Sequence, residues 1–123
     1  MRNLIQDFPN NISTALEIAG KIELKPLPRE IRNVVVCGMG GSGIGGKIVS
    51  QWVSDDLSVP FVCVNDYVLP HFVDEHTLLI ASSYSGDTEE TLAALEDGMT
   101  KGAHIVAICS GGKLAQLAKE HNF

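Results

Sequence analysis

Residues 33 to 52 read NVVVC-GMGGSGIGG-KIVSQW, and the reading of this stretch decides the fold. Asn33 to Cys37 is a short β-branched run without polar alternation, the pattern of a strand buried on both faces. It runs straight into Gly38-Met39-Gly40-Gly41-Ser42-Gly43-Ile44-Gly45-Gly46. Ile44, Ile48, Val49 and Trp52 then recur at helical spacing, which predicts a helix over Gly43 to Val53. A strand, a glycine-rich turn and a helix in this order open a parallel α/β unit.

The same arrangement recurs downstream. Thr77 to Ala81 (TLLIA) reads as a strand, Ser82-Ser83-Tyr84-Ser85-Gly86-Asp87-Thr88 as a loop, and Asp87 to Lys101 as a helix with Leu92, Leu95 and Met99 on its apolar face. Asp87 followed by Glu90 resembles a capping box with an acid at its head. Val59 to Val64, around Pro60, and His104 to Cys109 are two further strands. Ser110-Gly111-Gly112 ends the last one, before a short helix over Lys113 to Glu120. Upstream, Ile12, Leu16, Ala19 and Ile22 share one face of a helix over Asn10 to Glu23, and Lys25 to Pro28 forms a linker. The domain division is therefore 1–28, helix and linker, and 29–123, the α/β domain. The alternation predicts a three-layer α/β/α sandwich with a mostly parallel sheet. Ligands of such sheets sit at the carboxyl ends of the strands, beside the switch in strand order, where both glycine–serine loops emerge.

The 123 residues and 45 % hydrophobic content suffice for one buried core. Nine lysines and arginines against 15 acids give a net charge of −6 with no basic run, which argues against nucleic acid and anionic membranes as partners. No segment reaches the ~18 apolar residues of a membrane span, and Met1 to Asp7 is not a signal peptide. Cys37, Cys63 and Cys109 lie in apolar runs without CxxC spacing and read as buried reduced thiols, which suit a cytoplasmic protein. His71, His76, His104 and His121 have no metal-type spacing and read as surface or packing residues.

The first loop fits more than one chemistry. Glycine amides at a helix start favour an anion. Gly38-x-Gly40-x-x-Gly43, with Asp66 as a ribose acid, fits dinucleotide binding. Gly41-x-x-x-x-Gly46-Lys47 fits a triphosphate loop until Ile48, which replaces the magnesium-holding hydroxyl. A sugar-phosphate cradle using Ser42 fits equally well, so this loop alone leaves dinucleotide and sugar phosphate open. The second loop favours sugar phosphate. Its clustered hydroxyls and helix-start amides can surround a phosphate without arginine, whereas capping alone accounts only for Asp87 or Thr88.

The pair GMGGSGIGG (Gly38 to Gly46) and SYSGDTEETL (Ser83 to Leu92) resembles the sugar isomerase (SIS) domain superfamily, and within it the N-terminal domain of bifunctional phosphoglucose/phosphomannose isomerases. Asp66-Tyr67-Val68-Leu69-Pro70 is similar to a segment of that family after its second strand. The resemblance implies an SIS-type sandwich that binds glucose 6-phosphate or mannose 6-phosphate and a protein that interconverts them with fructose 6-phosphate, without cofactor or metal. Ser83, Ser85 and Thr88 would hold the phosphate with amides near Tyr84 and Gly86, and Gly40, Gly41 and Ser42 would line the sugar side. Asp87 departs from the Asn common in the subfamily, and Glu89 and Glu90 are expected to face solvent. The family's base, ring-opening and enediolate-stabilising groups lie downstream of the matched region, so no residue here is assigned as catalytic. A fifth strand and a second domain also lie downstream there, which makes the chain an expected fragment of a homodimeric isomerase. A non-catalytic sugar-phosphate sensor and a dinucleotide-binding oxidoreductase domain are the alternatives.

Overall fold

The computed structural model describes residues 5–24 and 26–123. Residues 1–4 and Lys25, the first residue of the expected linker, lie outside the described residues. Four strands form one sheet: β1 (Asn33–Cys37), β2 (Phe61–Val64), β3 (Thr77–Ser83) and β4 (His104–Cys109). The helices are α1 (Phe8–Gly20), α2 (Gly40–Trp52), α3 (Glu89–Thr100) and α4 (Gly112–His121). The order across the sheet is β2-β1-β3-β4, and every pairing is parallel. Cys37 lies opposite both Val64 and Ala81, so β1 and β2 end level and β3 runs two residues further, to Ser83, at the edge where the two loops emerge.

Successive strand residues face opposite sides of a sheet. Val35, Cys37, Leu79, Ala81 and Ile105 meet Ala94 and Leu95 of α3 and Leu114 of α4 in one buried cluster. Leu79, Leu95 and Leu114 have no exposed surface, and truncating one such leucine to alanine costs about 2–5 kcal/mol. Val34 and Val36 face the other side, which α2 covers. A Cβ at Gly46 would stand 2.9 Å from the Val36 side chain, so α2 lies on the sheet through its small residues. That close approach turns its larger side chains outward: Ile44, Ile48 and Trp52 are exposed, Trp52 by 83 %. Their helical spacing is therefore real, but it does not mark the face packed on the sheet. α1 likewise buries none of its residues, and Phe8, Ile12 and Leu16 are exposed.

Several boundaries differ from the sequence expectation for physical reasons. α2 starts at Gly40, so Gly40 to Ser42 form its first turn rather than a preceding loop. β3 continues to Ser83, which puts Ser82 and Ser83 on opposite sheet faces. α3 starts at Glu89 with Thr88 as its N-cap, and the Asp87–Glu90 capping box does not form. The Asp87 carboxylate instead accepts the Lys113 amide of α4 at 2.8 Å. All three cysteines are free; Cys37 is buried, but Cys63 and Cys109 are only partly so, a correction to the expectation that all three are buried. Burial pushes the Cys37 thiol up to about 11, against backbone hydrogen bonds that act in the opposite sense, and leaves it an inert neutral thiol. Among the described residues no helix is long and apolar enough to cross a membrane.

Candidate functional site

β1 and β3 are neighbours at the centre of the sheet, and the chain leaves them in opposite directions. β1 leads through α2 to β2 on one side, and β3 leads through α3 to β4 on the other. Their carboxyl ends are thus the switch point of the sheet, and two helix N-termini converge there. The positive ends of α2 and α3, with first-turn amides that have no intrahelical partner, suit an anion.

In the first loop, part of the glycine run serves packing. The Gly38 amide donates to the Val64 carbonyl at 3.2 Å, and a Cβ at Gly38 would stand 2.8 Å from the Ser82 carbonyl oxygen. The Asn65 side-chain amide donates to the Gly38 carbonyl oxygen and fills the space where a Cβ of Gly43 would project. Asn65, the first residue after β2, thereby ties the loop to the neighbouring strand. Only its side-chain type, an amide directly after a strand, hints at this role in the sequence. By contrast, nothing lies within 4 Å of a Cβ built at Gly40 or Gly41, so there the backbone is open to an incoming group. Ser42 is half-buried and lines, with Ser82, Val36, Ile80 and Ile108, a groove of about 290 Å³. Its lining is mostly apolar, so the groove itself is no place for a phosphate.

In the second loop, Ser83 to Thr88 form one turn. Ser83 is 2 % exposed; its hydroxyl pairs with that of Thr88 at 2.8 Å and accepts the Gly86 amide at 3.1 Å. The Ser85 hydroxyl is exposed and accepts the Asp87 amide at 3.2 Å. Tyr84 takes part through its backbone only, because its side chain projects into solvent. A third loop, Ser110-Gly111-Gly112, braces this turn, and the sequence reading assigned it no role. The Ser110 amide and hydroxyl both donate to the Tyr84 carbonyl, and the Leu114 amide donates to the Gly86 carbonyl at 2.9 Å. The available signal was a third glycine turn between a strand and a helix.

The segment after β2 runs along α3, with Tyr67 beside its first turn and Leu69 tied to its last. Leu69 is buried, its amide donates to Asp97 at 3.0 Å, and Lys101 donates to the Leu69 carbonyl at 3.3 Å. Glu89 is exposed as expected, but Glu90 is partly covered, and both act on Tyr67. The negative charge of Glu90, then burial, then Glu89 push the Tyr67 phenol above its ordinary value. The Asp66 carboxylate accepts its neighbour's amide, Tyr67 N–H, at 2.7 Å and so serves the turn. His76 bonds the Glu30 carbonyl, His121 stacks on Phe123, and His104 begins β4 at the edge opposite the loops. Among the described residues no three His, Cys, Asp or Glu side chains cluster as a metal site would require. Hydroxyls and helix-start amides are donors of the kind that can hold an anion.

No protein-family model matches the chain. It is 45 % identical over 119 residues to a bifunctional phosphoglucose/phosphomannose isomerase of Caldicellulosiruptor bescii, covering 97 % of this chain and 35 % of that protein. It is 47 % identical over 106 residues to the protein of the same name in Thermoplasma acidophilum, covering 77 % of this chain and 33 % of the relative. Among solved structures it is similar to tagatose-6-phosphate ketose/aldose isomerase of Escherichia coli, with a TM-score of 0.66 and 26 % identity over 97 % of this chain and 35 % of that one. The chain is thus a homologue of bifunctional phosphoglucose/phosphomannose isomerases with the SIS fold of the phosphosugar isomerases, and it spans about a third of the length of the curated relatives it matches.

Proposed function

We propose that this chain is the N-terminal sugar-phosphate-binding part of an isomerase that interconverts glucose 6-phosphate or mannose 6-phosphate with fructose 6-phosphate. The observation that carries this reading is the part-buried Ser83–Thr88 hydroxyl pair at the N-terminus of α3, on the switch point of a sheet shared with phosphosugar isomerases. A phosphate entering the turn would take over hydroxyl and amide donors that now satisfy one another, with the dipole of α3 behind them. Ser83, Ser85 and Thr88, with the backbone at Tyr84 and Gly86, hold the phosphate in this reading. Gly40 and Gly41, open in the first turn of α2, and Ser42 line the sugar.

Moving a proton between C1 and C2 requires a base beside the sugar and donors that stabilise the enediolate. In this reading those groups come from outside these 123 residues, the domain proper begins at residue 29, and the intact protein is a cytoplasmic homodimer that serves hexose-phosphate metabolism in glycolysis or gluconeogenesis. Calorimetric titration of the chain with glucose 6-phosphate, mannose 6-phosphate and NAD tests it. Uptake of the sugar phosphates supports it, and uptake of NAD alone overturns it. The dinucleotide alternative is weakened because its candidate ribose acid, Asp66, spends a carboxylate oxygen on the Tyr67 amide.

A further inference from the structure

We propose that Asp87 is a positioning residue of this site, clamping loop 82–88 to the first turn of α4 and thereby holding Ser83, Ser85 and Thr88 in their binding arrangement. The consequence for binding rests on the sugar-phosphate reading above; the clamp itself rests on geometry. The Asp87 carboxylate accepts the Lys113 amide at 2.8 Å, and the Gly86 carbonyl accepts the next amide, that of Leu114, at 2.9 Å. On the other side of the turn, the Ser110 amide and hydroxyl close on the Tyr84 carbonyl. Loop 82–88 is thus fastened on both sides of Ser85 by a loop distant in sequence.

The backbones touch as closely as the chain permits. Gly86 and Gly112 both have positive φ, +77° and +69°, and a Cβ on Gly86 would strike the Gly111 carbonyl while one on Gly112 would strike the Ser85 carbonyl. The first-turn amides of Lys113 and Leu114 are thereby spent on the loop, so the positive end of α4 acts as a fastening point. It also accounts for a carboxylate next to an anion site: the charge of Asp87 is directed at the helix terminus that favours it. Without this clamp, the turn carrying Ser83, Ser85 and Thr88 would sample other conformations, and apparent affinity falls with the fraction that is binding-competent.

Amide hydrogen exchange over residues 82–88 and calorimetry with glucose 6-phosphate, on wild type, Asp87→Ala, Asp87→Asn and Ser110→Ala, test the proposal. Asp87→Ala is expected to speed exchange in the loop and weaken binding about tenfold, the scale of a lost bond to a charged acceptor. Asp87→Asn keeps an acceptor for the Lys113 amide and is expected to restore both. Ser110→Ala, an exposed change that leaves one bond to Tyr84, is expected to show the smaller loss should Asp87→Ala not fold. Unchanged exchange in Asp87→Ala and Ser110→Ala, or an Asn variant as defective as the Ala one, overturns the clamp. Loosening of the loop in a chain whose wild type takes up no sugar phosphate overturns the site reading and leaves the clamp standing.

Discussion

The hydroxyls of Ser83 and Thr88 stand 2.8 Å apart, the first at the last residue of β3 and the second at the N-cap of α3. Neither caps the helix, since Thr88 makes no side-chain bond to its first turn. In the proposed reading these two hydroxyls, uncommitted to capping α3, turn towards the phosphate. Thr88→Ala and Ser85→Ala are each expected to weaken glucose 6-phosphate binding by about 1–3 kcal/mol, the range for losing a hydrogen bond to a charged group. Calorimetric titration of the two variants checks this, and affinities equal to wild type in both would remove the second loop from the site.

Ser83 carries a second duty that Thr88 does not, and it does so buried, whereas the Ser85 hydroxyl accepts the Asp87 amide in solvent. The buried Ser83 oxygen is the acceptor for the Gly86 amide, so Ser83→Ala strands that donor. An unsatisfied buried donor costs about 1–3 kcal/mol, and this variant is expected to lose stability as well as affinity. Urea unfolding of Ser83→Ala beside Thr88→Ala should show a lower midpoint for the former.

Much of this organisation is legible in the sequence because it depends on neighbours along the chain. Asn33 to Cys37 and His104 to Cys109 are strands with the bounds their apolar runs suggest, and the strand–glycine–helix order is enough for a parallel sheet. Side-chain roles set by distant residues are not legible in this way. Asp87 followed by Glu90 looks like a local cap, yet a partner 26 residues away takes the carboxylate. Ile44, Ile48 and Trp52 have the spacing of a packed face, yet the nearness of Gly46 to Val36 turns them outward. Asn65 and Ser110 carry no motif, and only the juxtaposition of strand ends gives them their contacts.

The segment after β2 is tied to α3 through Asp97 and its partner Lys101. Hydrogen bonding to Lys101, opposed by burial and assisted by the Leu69 amide and the charges of Lys101 and His71, holds Asp97 below its ordinary value. A carboxylate with a depressed folded-state pKa stabilises the fold above its unfolded value of about 3.9 and loses that contribution as pH falls through the folded value. Stability is therefore expected to drop below about pH 4 in wild type. Asp97→Asn should be less stable at pH 7 by about 1–2 kcal/mol and decline less on acidification. Melting temperatures across pH 2.5 to 7, roughly spanning that window, decide the matter; parallel curves would mean that Asp97 contributes nothing through its charge.

Tyr67 reports on the acidic first turn of α3 from the outside. Glu90 is the largest cause of its raised pKa, with burial and Glu89 behind it, because a phenolate would form beside carboxylates. Glu90→Gln removes the leading repulsion, so the Tyr67 phenol should ionise at lower pH in that variant. With only Tyr67 and Tyr84 in the chain, an ultraviolet titration of phenolate absorbance resolves the change, and Tyr67→Phe assigns it. Binding makes the same turn informative a second time. A phosphate dianion held by Ser83, Ser85 and Thr88 adds negative charge at the N-terminus of α3, and glucose 6-phosphate is expected to push Tyr67 further up. A Tyr67 titration insensitive to saturating sugar phosphate would put the anion elsewhere than at α3.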